Sequence, residues 1–167
     1  MISSHRAPLI SAGILLGTGL GGFVDGILLH QILQWHNMLS SVKPVTDLVT
    51  MKYNMLWDGL FHAFTWLMVS LGLWRLWRAG KRPDVPWSSR TLIGAMILGW
   101  GLFNFIEGAV DHQILGIHHV HPGEAQLAWD IGFLVFGLSQ VAAGLALLQL
   151  ARSERAPREA FELVPPA

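Results

Sequence analysis

Four apolar stretches, at roughly 8–33, 55–77, 90–116 and 127–150, constrain this chain more than any other feature. Each exceeds the ~20 residues that a helix needs to cross a ~30 Å hydrocarbon core. Only 13% of the residues are charged and 52% are apolar, against about 25% charged in a soluble domain. The expected fold is therefore all-α: one integral membrane bundle over 1–150, followed by a polar, disordered cytoplasmic tail at 151–167. The first stretch is longer than a signal-peptide core and holds Asp25 and His30, so it reads as a retained span. The chain has no cysteine and a formal net charge of +0. These facts exclude disulfides, thiolate metal sites and CxxC redox chemistry, and argue against nucleic-acid binding.

Lysine and arginine orient the chain. The link between spans 2 and 3 carries Arg75, Arg78, Lys81, Arg82 and Arg90, Arg6 precedes span 1, and Arg152, Arg155 and Arg158 follow span 4. The 1–2 link has only Lys43 and Lys52, and the 3–4 link has none. Both termini are thus expected in the cytoplasm, with the hairpin tips outside. Trp74, Trp77 and Trp87 fit a cytoplasmic interfacial belt.

The apolar runs contain a repeat. "DGILLHQILQWH" from Asp25 and "EGAVDHQILGIHH" from Glu107 align, pairing Asp25 with Glu107, Gly26 with Gly108, His30 with His112, Gln31 with Gln113 and His36 with His118. "LWDG" at 56–59 and "AWDIG" at 128–132 pair Asp58 with Asp130. Two helical hairpins, about 8–78 and 90–150, are expected to pack as an up-down four-helix bundle about a pseudo-twofold axis along the membrane normal. Gly13, Gly17, Gly21 and Asp25 recur every four residues, a small-residue stripe that lets helices approach closely. Gly22, Gly26 and His30 form an adjoining stripe, and Gly94, Gly101 and Gly108 lead to His112. Met51, Met55, Asp58 and His62 share a helical spacing in span 2.

Counting back from the hairpin tips at 1.5 Å per residue puts His30, Asp58, His112 and Asp130 in one polar layer. Asp25, His62, Glu107 and Asp111 fall in a second, deeper one. An ionisable group at this depth costs several kcal/mol unless paired or hydrated. A lone buried histidine is more often a packing residue than a ligand, and Asp–His hydrogen bonds gluing four helices are the simplest reading of the set. The doubled constellation points further, because histidines and carboxylates on facing helices build core metal sites, including dinuclear ones. Glu107 and Asp111, four apart, suit bridging two ions.

Imidazole with carboxylate and no thiolate favours iron, zinc or manganese. Met38, Met51 and Met55 keep copper open, although the second repeat lacks their equivalents. Some of the acids fit orienting a ligating histidine better than touching metal, and Gln31 and Gln113 suit interhelical hydrogen bonds. His118, His119 and His121 lie toward the outer surface, where they read as metal entry, a proton relay or plain loop histidines, and His36, His118 and His119 are candidates for metal entry or additional ligands. Three functions remain open: a metalloprotein that performs chemistry or handles metal for another enzyme, a proton or cation pathway, and a small b-type cytochrome. Aspartates at histidine level oppose the cytochrome, which needs an apolar wall for its haem. Ionisable groups confined to the outer half oppose the pathway. No catalytic residue is assigned, and leftover glycine faces leave a homodimer open.

The twin HQIL segments, each followed by a WD-bearing span, resemble a bacterial membrane-protein family defined only as a domain of unknown function. The resemblance covers about 8–150. It implies a four-span protein of the bacterial inner membrane in contact with lipid. Because relatives occur beside cytochrome-oxidase assembly genes, it also implies partners among respiratory-complex or metal-handling proteins.

Overall fold

The computed structural model describes residues 4–152 and is helical with no strand among them. After a 3-10 turn at Ser4–Arg6, α1 runs over Ala7–Val24 and widens into a π-helical segment at Asp25–Ile32. A loop leads to α2 (Leu48–Gly80) and a short link to α3 (Ser89–Glu107). α3 widens in the same way at Gly108–Ile114, and α4 is Gln126–Arg152. The four helical spans are 26, 33, 26 and 27 residues, each long and apolar enough to cross a membrane. The expected tail lies outside the described residues from 153 onward, while Ala151 and Arg152 close α4.

Span 2 begins at Leu48 and not near 55. Its start is set by a cap: Asp47 accepts hydrogen bonds from the backbone N–H groups of Val49 and Thr50, both at 2.8 Å, and the Thr50 hydroxyl closes the box. A polar first turn carries little hydropathy, so apolar patterning skips it although capping stabilises it. Pro8 opens α1, and the Ser88 hydroxyl caps α3 by accepting from Thr91 N–H.

α1 and α3 form the central pair, with α2 packed on α1 and α4 on α3. The central contact is made of backbone. A Cβ added to Gly17 would collide with the carbonyl of Met96, and one added to Gly99 with the carbonyl of Ile14. These two collisions are equivalent under the repeat. Glycine is required here so that two helices without a hydrophobic driving force between them can meet at van der Waals distance. The outward faces of α2 and α4 are large and apolar, with Phe64, Trp66 and Leu73 on one and Val135, Phe136 and Leu145 on the other exposed. Small and polar residues inside and large apolar ones outside is the arrangement suited to lipid.

Met51 and Met55 share the spacing of Asp58 but are exposed, whereas Asp58 is buried. They do not join the polar interior. At the opposite end, Trp74, Trp77 and Trp87 are exposed, with the Arg78 guanidinium over the Trp74 ring and the Lys81 ammonium 3.6 Å from the Trp77 centroid.

Candidate metal centre

In each repeat an acid precedes a histidine by five residues. On an α-helix such positions stand about 140° apart. The π-helical segments, with their wider turn, bring them onto one face. His30 Nε2 comes 3.3 Å from Asp25 Oδ2, and His112 Nε2 comes 3.1 Å from Glu107 Oε1.

The chain then reverses in the same manner twice. Leu33 N–H donates to the Leu28 carbonyl at 2.8 Å and Trp35 N–H to Leu29 at 3.0 Å. In the second repeat Leu115 donates to Val110 at 2.8 Å and Ile117 to Asp111 at 3.0 Å. The pivot is left-handed in both, Gln34 with φ 52° and Gly116 with φ 57°. Left-handed backbone costs an ordinary L-residue about 1–2 kcal/mol, and the Gln34 side chain is exposed with no packing to lose. Gln34→Gly should therefore stabilise the protein by up to about 1 kcal/mol, seen as a higher thermal midpoint in detergent; a lower midpoint would refute the strain.

The reversal turns His36 and His118 back into the bundle, where they are 4% and 0% exposed. This corrects the expectation that His118 lies in a surface mouth. Each is tied to the opposite hairpin's loop. His36 Nδ1–H donates to the Val120 carbonyl at 2.9 Å, and His118 Nδ1–H to the Met38 carbonyl at 3.0 Å. With Ser41 N–H donating to the Ile117 carbonyl at 3.0 Å, the two loops are cross-linked over the cluster.

His30 and His112 are held from the flanking helices. His30 Nδ1 lies 3.1 Å from Asp58 Oδ1, and Asp58 also accepts from Met38 N–H at 2.8 Å and the Asn37 amide at 2.7 Å. His112 Nδ1 is 3.6 Å from Asp130 Oδ1, whose carboxylate accepts from Val120 N–H at 3.0 Å and His119 Nδ1 at 2.7 Å. His119 thus occupies the place that Asn37 holds in the first repeat.

Carbonyl oxygens accept only, so the contacts of His36 and His118 put the proton on Nδ1 and leave the lone pair on Nε2, whereas His30 and His112 have a carboxylate oxygen beside each ring nitrogen. Four imidazoles then come together with the Glu107 carboxylate, with Asp25 beside His30. His30, His36 and His118 offer donor atoms within 4.8 Å of one another, and so do Glu107, His112 and His118. His118 Nε2 lies 2.9 Å from Glu107 Oε1, at hydrogen-bond distance. Among the described residues, His30 Nε2, His36 Nε2, Glu107 Oε2 and both His112 ring nitrogens are buried without a hydrogen-bond partner. Each such group costs about 1–3 kcal/mol, and a cation at the centre would satisfy several at once. In the first loop, burial above all holds the His36 imidazole far below its usual 6.5, at about 3, so it keeps its lone pair.

Of the two polar layers inferred from helix counting, Asp25 joins His30 and Glu107 joins His112 in this one cluster. Asp58 and Asp130 stand behind histidines. His62 Nδ1–H donates to the Asp58 carbonyl at 2.8 Å and its ring lies beside Phe23, outside both donor groups. Asp111 is half-buried and also outside both, lining a cavity with Glu107. Gln31 reaches Asp58 at 3.4 Å, Gln113 is exposed, and His121 packs between Trp35 and Trp129. Asn37 was not anticipated. Its signal was its alignment with His119, one residue after the paired His36 and His118.

Fold and cluster together define a polytopic membrane protein of four helices around a buried His–carboxylate centre. The chain belongs to the family described as "Predicted membrane protein (DUF2243)", which matches residues 12–151. No curated protein and no solved structure matches the chain.

Proposed function

We propose that this chain is a metalloprotein of the bacterial inner membrane, with both termini in the cytoplasm and a transition-metal centre in the outer half of the bundle. The ligands are Nε2 of His30, His36, His112 and His118 with the carboxylates of Asp25 and Glu107. Asp58, Asp130 and the carbonyls of Met38 and Val120 orient the imidazoles, as outer-sphere partners commonly do. Iron and zinc suit the nitrogen-and-oxygen set best, with manganese and copper next. The observation carrying this reading is that two overlapping groups of buried donors, His30–His36–His118 and Glu107–His112–His118, converge within 4.8 Å and, among the described residues, leave His30 Nε2, His36 Nε2, Glu107 Oε2 and both His112 ring nitrogens without a hydrogen-bond partner. Structural glue would leave fewer such atoms unpaired.

The closed loops over the cluster suit a resident ion better than one passed quickly to a partner. A metalloenzyme is therefore the preferred form of the reading, and a respiratory metal-handling factor the second. A b-type cytochrome is disfavoured, because His36 stacks on His118 at 4.8 Å between centroids and the rings leave no porphyrin-wide slot. A proton pathway is also disfavoured. Toward the Arg6 end, the buried polar side chains among the described residues are Thr65, Thr91 and Asn104, none of them ionisable.

The test is elemental analysis with an absorption spectrum on detergent-purified protein kept from chelators and nickel resin. One or two ions per chain is the expected result and distinguishes a mononuclear from a dinuclear centre. Absence of metal, persisting after reconstitution with each ion, would overturn the reading.

A further inference from the structure

The pseudo-twofold symmetry breaks in one region, beside the cluster. Two cavities related by the repeat open on the sides of the bundle. One, of about 330 Å³, includes Asp25, Leu29 and Trp100 in its wall. The other, of about 620 Å³, has Glu107, Asp111 and Thr18 at the corresponding places. In the smaller cavity the Trp100 ring fills the space beside Gly21, so closely that a Cβ there would strike it. In the larger one a threonine replaces that indole and leaves the volume open. A volume of about 620 Å³ falls in the range of small-molecule sites.

Its rim is apolar and outward-facing. Leu60, Phe64 and Ile106 are 51%, 45% and 57% exposed, on the surface that meets lipid. Its polar end is acidic. Asp111 stands where the other repeat has leucine, and among the described residues no donor reaches its carboxylate. Glu107 belongs to both the cavity wall and the donor cluster. The crossed loops cover the cluster from above, and the larger opening reaches it from the side through Glu107.

We propose that the larger cavity binds a bilayer-dissolved amphiphile, a long apolar body ending in a hydroxyl, with that hydroxyl donating to the Asp111 carboxylate next to Glu107. The apolar body fits the lipid-facing rim. A hydrogen-bond donor head satisfies an acid that otherwise sits half-buried without a partner, and an anionic head such as a fatty acid is repelled by two carboxylates. The proposal deepens the metal-centre reading by naming what reaches it, and it is tested separately from that reading.

The test is photolabelling of the full chain in lipid nanodiscs with a diazirine-bearing long-chain alcohol, with labelled peptides mapped by mass spectrometry. The expected result is saturable labelling near Leu60–Phe64 and Ile106–Val110. The unlabelled alcohol should compete about tenfold or more better than the matching alkane, the margin that one hydrogen bond to a charged acceptor supports. Asp111→Leu should erase that margin, and Thr18→Trp should abolish labelling. Both introduce the residue found at the aligned position of the other repeat. Labelling that does not saturate, equal competition by the alkane, or an unchanged margin in Asp111→Leu would overturn the proposal and leave an ordinary lipid groove. Metal content measured on the same samples separates the two ideas: bound metal with no specific labelling removes the cavity proposal alone. Specific labelling of a chain that never takes metal removes the metal reading alone.

Discussion

A chain in which His36 and His118 are both replaced by alanine should purify as a helical bundle that holds no metal. Both side chains are buried, and His118 belongs to both groups of converging donors. Removing the two together leaves His30 and His112 on opposite hairpins with no imidazole between them. Their loss also deletes the two cross-loop hydrogen bonds, at about 1 kcal/mol each, too little to dissolve a bundle joined along α1 and α3. Asp58→Ala provides a graded comparison. Its ligands remain, but His30 loses its orienting acceptor, and affinity should fall about 10–100-fold. Elemental analysis after dialysis against a weak chelator, with circular dichroism for helix content, would read both variants. Full metal retention in the double variant would remove His36 and His118 as ligands.

The second large effect concerns the helix contact. Gly17→Val and Gly99→Val each place a branched side chain against a carbonyl of the facing helix. Backbone cannot rotate away as a side chain can, so α1 and α3 must separate. Overpacking of an interior costs about 1–3 kcal/mol and sometimes more; at a backbone–backbone contact the upper end is expected for each change. The double variant should fail to form a stable monodisperse species in mild detergent, whereas Gly59→Val, at a position with open space around it, should behave as wild type. Equal thermal midpoints for Gly17→Val and Gly59→Val would show that the central pair is not held by close approach. The experiment also isolates the fold from the site, because Gly17 and Gly99 touch no member of the donor cluster.

Much of this architecture is legible in the chain itself. Hydrophobic length defines four helices, because lipid leaves a backbone little alternative. Glycine spacing marks the faces that meet, and the doubled segment announces the twofold relation later seen bond by bond, from Gln34 and Gly116 to the paired carbonyls of Val120 and Met38. Asp58 behind His30 follows from counting along helices that are straight. The count fails where the helices are not straight. Nothing in a hydropathy pattern signals the π-helical widening after Val24 and Glu107, so Asp25 and His30 looked like separate layers when they share one face.

His36 and His118 are the clearest case. By sequence they follow the end of an apolar run and belong to a loop, which places them at the surface. Two left-handed pivots and an exchange of hydrogen bonds between loops about eighty residues apart carry them to the middle of the cluster. Such contacts are decided by the packing of one hairpin on the other, a relation that short-range periodicity does not encode. The difference between the two side cavities is of the same kind. Thr18, Trp100, Leu29 and Asp111 are all visible in the sequence, but only the tertiary structure assigns each to a wall and shows which of two equivalent spaces is left open.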